Sequence, residues 1–167
     1  MPDTETYKPA FDEPPGTNLA GIPIKGLQLP SPYVSYGRPY QESCAKHIRE
    51  TFHASKVYII ASGSLARNTD EVDTLIDAIG KDSVVGVRKG MTPHTPWSEI
   101  LAITAECRAG QADCVVTLGA GSMTDGAKLV VLVRQHRAKV EQTLICIVPC
   151  ERHQHTGATC SVLRGEH

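Results

Sequence analysis

The sequence predicts an α/β protein: a Rossmann-like parallel sheet with helices on both faces, preceded by an extended proline-rich arm. Three observations carry that expectation. Short, continuous, β-branched apolar runs (Val57 to Ala61, Val84 to Val87, Cys114 to Leu118 and the segment 143–148) read as strands buried on both faces. Between them lie segments with apolar residues at helical spacing, of which Val72, Leu75, Ile76 and Ile79 are the clearest set. Small-residue turns then follow two of the strands, Ser62-Gly63-Ser64 and Gly119-Ala120-Gly121. Strands alternating with helices through 33–148 imply right-handed crossovers and a parallel sheet, whose ligands bind at the carboxyl ends of strands.

Taken in order, residues 1–32 carry seven of the eleven prolines. Proline removes backbone donors and resists both helix and central strand. This stretch reads as an extended arm, with a short strand near Ile22–Leu29, laid on the domain or on a second subunit. A Rossmann-like domain follows over 33–149. Tyr33 to Tyr36 is a short strand ended by Gly37, and the helix 40–53 sets Cys44, Ala45, Ile48 and Phe52 on one face. Helix 69–79 stops at Gly80. His94-Thr95-Pro96 opens the next helix, with Thr95 as N-cap and Pro96 at the first helical position. Its inner stripe is Trp97, Ile100, Leu101 and Thr104, and Gly110 ends it. Strand 114–118, helix 122–136 and strand 143–148 complete the alternation. Residues 150–167 show no period, and Val162 and Leu163 are their sizeable apolar residues, so they read as a divergent, flexible tail.

Composition narrows the function classes. A net charge of -1 offers no general attraction for nucleic acid or an anionic membrane, and 5% aromatic residues leave few platforms for stacking bases. No apolar run approaches the ~20 residues of a membrane span. Met1 to Gly16 is acidic and proline-bearing, without the apolar core of a secretory signal. The six cysteines are scattered over strand-like and helix-like runs, as reduced, buried thiols of a cytoplasmic protein would be. There is no Cys-x-x-Cys pair. His153, His155, Cys160 and His167 bring imidazole and thiolate into the tail, but no spacing there matches a closed zinc site, and no metal is expected.

The chemistry is expected around residues 113–137. Gly119, Ala120 and Gly121 allow a sharp turn and close approach of a ligand to the backbone. Ser122 reads as an N-cap, with Asp125 as its capping-box partner. Free N–H groups and the positive end of the helix dipole would converge there, which suits a phosphate or pyrophosphate. Two glycines before a helix also occur in α/β loops that bind nothing. Asp125 also reads as a simple cap, and Lys128 as an exposed solubilising charge. His94, at a strand's carboxyl end, is the candidate acid or base, because imidazole titrates near neutral pH; its other reading is an exposed loop histidine.

The stretch Gly119-Ala120-Gly121-Ser122-Met-Thr-Asp125-Gly-Ala-Lys128 resembles the Gly-Gly-Gly-Ser-x-x-Asp-x-x-Lys motif of the iron-containing (group III) alcohol dehydrogenases. That family includes the maleylacetate reductases and is related in fold to dehydroquinate synthase. The likeness runs from about Tyr33 to Pro149, and Arg88-Lys-Gly-Met-Thr-Pro-His94-Thr-Pro-Trp is similar to fungal members. It implies NAD or NADP, with its pyrophosphate on the helix that starts at Ser122 and with Ser62, Gly63, Ser64, Gly119, Ala120, Gly121, Ser122, Asp125 and Lys128 as the cofactor-binding set. Ala120 replaces the middle glycine. Ser62 stands near where many members carry an Asp that contacts the adenosine ribose. Cys150-Glu151-Arg152 stands where members have a Thr-Thr loop. The helical domain that carries the metal ligands in the family has no counterpart in these 167 residues, which resemble a truncated homologue.

Three functions follow as expectations. The chain is a nucleotide-binding oxidoreductase domain with little redox turnover by itself; or a metal-independent, non-redox catalyst, isomerase- or cyclase-like, acting on a small metabolite in the former cofactor cleft; or an inactive binding and assembly module. A homodimer is expected, since a domain of a two-domain fold exposes the apolar surface its partner would cover.

Overall fold

The computed structural model describes residues 6–7, 33–35, 39–92, 95–119, 121–137, 144–148 and 160–163; of these, the side chains of 6–7, 33–34, 122, 135–137, 144–148 and 160–163 are not described. The strand expected near Ile22–Leu29 lies outside these residues. The elements are β1 (Thr6–Tyr7), β2 (Tyr33–Ser35), α1 (Tyr40–Lys46), β3 (Val57–Ala61), α2 (Gly63–Asn68), α3 (Glu71–Ile79), β4 (Val84–Lys89), α4 (Trp97–Ala109), β5 (Cys114–Leu118), α5 (Gly121–Arg137), β6 (Leu144–Val148) and β7 (Cys160–Leu163). A π-helical turn, His47–Thr51, continues α1.

Within the described residues the seven strands form one sheet, in the order β1-β2-β7-β6-β5-β3-β4. Strands β4, β3, β5 and β6 are mutually parallel, as the buried apolar runs require, with Val57 opposite Cys114 and Ala61 opposite Leu118. The α/β, Rossmann-like expectation is borne out.

Side-chain alternation along β3 divides the core into two layers. Val57, Ile59 and Ala61 face one way with Cys114, Val116 and Leu118, and α1 and α3 cover them through Cys44, Ala45, Ile48, Val72, Leu75 and Ile79. Tyr58, Ile60 and Val115 face the other way, beneath Ile100, Ile103 and Cys107 of α4 and Ala127 and Val130 of α5. Both faces are therefore dry, and truncating a residue such as Leu75, which is fully buried, should cost about 2–5 kcal/mol. At the β3–β4 pairing the register skips Val85, and the Tyr58 ring takes the space above Gly86, whose absent Cβ would fall 2.6 Å from that ring.

Several expectations need correction. The tail was expected to lie outside the pattern, yet Cys160–Leu163 forms β7, antiparallel between β6 and β2. Strand β2 is thus antiparallel to its neighbours and does not open the parallel sheet. A four-residue strand is too short to show a period, and only its partners define it. In α4 the inner residues are Ile100, Ile103, Thr104 and Cys107, whereas Trp97 is 57% and Leu101 37% exposed. Helix α4 begins at Trp97 behind Pro96, and Thr95 takes φ 44°, so Thr95 is not the cap. The face that meets the sheet repeats from Ile100, which leaves Trp97 and Leu101 on the flank. Helix α5 starts at Gly121, so Ser122 lies inside its first turn and is not the N-cap, and Asp125 falls beyond that turn.

His47, buried in the π-helical turn, shares hydrogen bonds with Ser35 Oγ (2.7 Å) and Thr51 Oγ1 (2.9 Å), joining β2 to α1. Among the described residues no helix is long and apolar enough to cross a membrane.

Candidate functional site

The chain leaves β3 through α2 and α3 on one face of the sheet, but leaves its neighbour β5 through α5 on the other. Adjacent strands whose connections part in this way open a crevice at their carboxyl ends, where α/β proteins bind ligands. Here the crevice falls between Ser62 and Gly119, the two turns of small residues.

The turns touch. Ser62 N–H donates to the Leu118 carbonyl (2.9 Å), and Gly119, at φ 141°, has no room for a side chain: a Cβ would lie 2.7 Å from Ser62 Cβ and 2.9 Å from Met123 Cε. Gly119 is therefore demanded by the fold. Gly121 differs, since a Cβ there would meet nothing within 4 Å among the described residues. Its open flank lies at the start of a 17-residue helix, where unsatisfied N–H groups and the dipole favour an anion. A ligand phosphate can approach the backbone at a place where any side chain would stand in the way.

On β3's side, Ser62 precedes α2, and its hydroxyl pairs with that of Ser64 at 2.9 Å. The end of β4 joins the same floor: Gly90 N–H donates to the Ala61 carbonyl (2.7 Å), and a Cβ on Gly90 would be 3.4 Å from Gly63 Cα. A cleft of about 620 Å³ opens here, bordered by Ser64, Arg67, Lys89, Gly90, Thr92 and Glu99 among others. That volume is in the range of small-molecule sites.

One wall of the cleft is cross-linked by charge. Arg88 meets Glu99 at 2.9 Å and Glu106 at 3.5 Å, Glu106 accepts from the Tyr58 hydroxyl, and Glu99 accepts from the Thr92 N–H (2.9 Å). Its bond to Glu99 holds the Arg88 guanidinium above its ordinary pKa. Burial works to raise the Glu99 pKa, but the bonds from Arg88 and Thr92 outweigh it and leave the carboxyl below the usual range. Burial, then the bond to Glu106, pushes the Tyr58 phenol upward. This network ties the end of β4 to α4.

The expected site residues come together only in part. Gly63 and Ser64 line the cleft, Ser62 and Gly119 touch at its inner end, and Gly121 starts the helix that follows. Asp125 and Lys128 pair with each other at 3.1 Å on the outer side of α5, 74% and 49% exposed. His94 and Ala120, and the side chain of Ser122, lie outside the described residues. Met91 and Thr95, on either side of His94's segment, pack on Gly126 of α5, where a Cβ would fall 2.6 Å from Met91 Cε and 3.0 Å from Thr95 Cγ2. Sequence reasoning missed Arg67, Lys89 and Gly90 as parts of the cleft. The available signal was the Arg88-Lys89-Gly90 run at a strand's carboxyl end.

The sequence profile of the iron-containing alcohol dehydrogenases matches residues 36–159. This chain belongs to that family. It is similar to dehydrogenase FUM7 of Gibberella moniliformis (strain M3125 / FGSC 7600), 37% identical over 121 residues that make up 72% of this chain and 28% of that protein. Dehydrogenase ALT3 of Alternaria alternata is 35% identical over 81 residues, 48% of this chain and 21% of the other. The chain thus spans between a fifth and a third of the length of these relatives. Among solved structures it resembles maleylacetate reductase from Agrobacterium tumefaciens (TM-score 0.50, 19% identity, 75% of this chain and 35% of the other). A Ralstonia eutropha JMP134 protein assigned as an alcohol dehydrogenase gives TM-score 0.52 at 24% identity, over 65% of this chain and 27% of that one. These likenesses establish the family's fold, and the profile's range of 36–159 includes the turns after β3 and β5.

The family's name implies a metal. Among the described residues, no three or more His, Cys, Asp or Glu side chains are grouped so as to hold one cation. These residues do not fit such a site.

Proposed function

We propose that this chain binds a nicotinamide dinucleotide, NAD or NADP, as the nucleotide-binding part of an oxidoreductase. The pyrophosphate would lie on the Gly119–Ser122 turn, against the first turn of α5, and the adenosine half would run toward the ends of β3 and β4. The observation that carries this reading is the contrast between the two glycines. Gly119 is required by its neighbours, whereas a Cβ on Gly121 would meet nothing among the described residues, and an open backbone at the helix N-terminus suits a phosphate. Membership of a dehydrogenase family and the position at the sheet's switch point support it.

These residues bind and orient the cofactor. Backbone N–H groups at the start of α5 would hold the pyrophosphate, and the Arg88–Glu99 wall keeps the β4 end in place beside the adenosine half. The bound dinucleotide would supply the hydride chemistry. Isothermal titration calorimetry with NAD and NADP tests the reading: saturable binding of either supports it, and no heat at millimolar ligand removes it.

A further inference from the structure

We infer that Arg67 and Lys89 form a phosphomonoester subsite beside the crevice, so that the dinucleotide this chain selects is the one with a 2′-phosphate, NADP(H). This rests on the dinucleotide reading proposed above.

The placement follows from the sheet. The turn after β5 would take the pyrophosphate, and the neighbouring strand ends, β3 and then β4, lie about 5 and 10 Å farther along. The adenosine ribose leaving the pyrophosphate must run along that edge. An α/β site that accepts an unmodified ribose places a carboxylate there for the 2′-hydroxyl, and one that accepts a 2′-phosphate places an arginine nearby. The β3 end offers Ser62, Gly63 and Ser64, without a carboxylate, and the two serine hydroxyls pair with each other. The one carboxylate lining the cleft among the described residues is Glu99, which is engaged by Arg88 and by the Thr92 N–H.

The lining contains three cations, Arg67, Arg88 and Lys89. Arg88 is neutralised by Glu99 and Glu106. Arg67 and Lys89 have no ion-pair partner among the described residues, and Arg67 Nη1 lies only 3.1 Å from where a Gly63 Cβ would be. Two cations without an ion pair among the described residues thus line the same cleft as Gly63 and Gly90. A guanidinium presents paired donors to phosphate oxygens, and an ammonium adds a second charge. A phosphomonoester, close to a dianion at neutral pH, complements them. An unmodified ribose would leave both cations with water alone.

The test is calorimetric titration of the full chain with NADP and NAD, and with 2′,5′-ADP and 5′-AMP as minimal probes. With two charge-assisted contacts, NADP should bind about thirtyfold more tightly than NAD, and 2′,5′-ADP more tightly than 5′-AMP. The ratio is expected to fall severalfold in Arg67→Gln and in Lys89→Gln, and to approach one in the double variant. Since each ratio compares two ligands on the same protein, partial misfolding does not imitate the result. Equal or tighter binding of NAD by the wild type would overturn the subsite while leaving the dinucleotide reading intact. A ratio undiminished in the double variant would overturn the assignment to these residues. Failure of both dinucleotides to bind would remove the dinucleotide reading, and this inference with it.

Discussion

Ser62 and Gly119 stand so close that a Cβ on residue 119 would lie 2.7 Å from the Ser62 Cβ. The ends of β3 and β5 are thereby joined at the point where their connections part to opposite faces of the sheet. At φ 141° an L side chain is strained even without this neighbour. Gly119→Ala should therefore destabilise the fold by about 2–4 kcal/mol. Gly121→Ala, with no described residue near its Cβ, should stay within about 0.5 kcal/mol of the wild type. Urea denaturation of the two variants measures the contrast, and equal losses would show that the glycines do not differ in role.

Glu99 gives the fold a pH-dependent stability. Its folded pKa lies below the ordinary value of 4.5, so its contribution is present above that value and fades as pH falls through the folded one. Arg88, whose pKa is raised above its ordinary value by the bond to Glu99, stays charged throughout that window. Glu99→Gln should cost about 1 kcal/mol at neutral pH. The difference from the wild type should shrink as the pH is lowered from 5 toward 3. Denaturation curves collected across that range would show it, and a gap that widened in acid would reverse the assigned sign.

The thiols of Cys44, Cys107 and Cys114 are buried, and burial, partly offset by Arg134, pushes the Cys107 thiol up to about 12. Reactivity requires thiolate and access. Iodoacetamide at pH 8 should leave these three unmodified in the native protein and modify all three in urea, as read by peptide mass spectrometry. Rapid native labelling of Cys107 would contradict its place on the sheet-facing side of α4.

Trp97 and Leu132, on the packed helices α4 and α5, are 57% and 53% exposed, and apolar surface left open on neighbouring helices is where copies of a chain associate. We propose that the flanks of α4 and α5 join two copies. Light scattering at tens of micromolar should give the mass of a dimer, and Trp97→Glu should shift it toward a monomer. A monomeric wild type would dismiss the proposal.

The strands β3 and β5 were legible to the residue, since Val57–Ala61 and Cys114–Leu118 are buried on both faces and such strands read as unbroken apolar runs. Helix α3 was legible because Val72, Leu75 and Ile79 repeat on one face and Gly80, at φ 103°, stops it. Features decided by distant residues were not. Strand β7 exists through β6 and β2, which no local period announces. The outward turn of Trp97 follows from where α4 meets the sheet, and its size alone pointed inward. For the site, the glycines of the crevice were visible as a motif, but Arg67 and Lys89 line one cleft only because the ends of β3 and β4 are neighbours.

The central claim is that the open backbone at Gly121 receives a dinucleotide pyrophosphate, and calorimetric titration of NADP and NAD into the wild type and Gly121→Val tests it most directly. The account predicts saturable binding by the wild type and its loss in the variant, with urea denaturation showing the variant still folded. Binding of equal strength by both proteins, or none by the wild type at millimolar ligand, would contradict it.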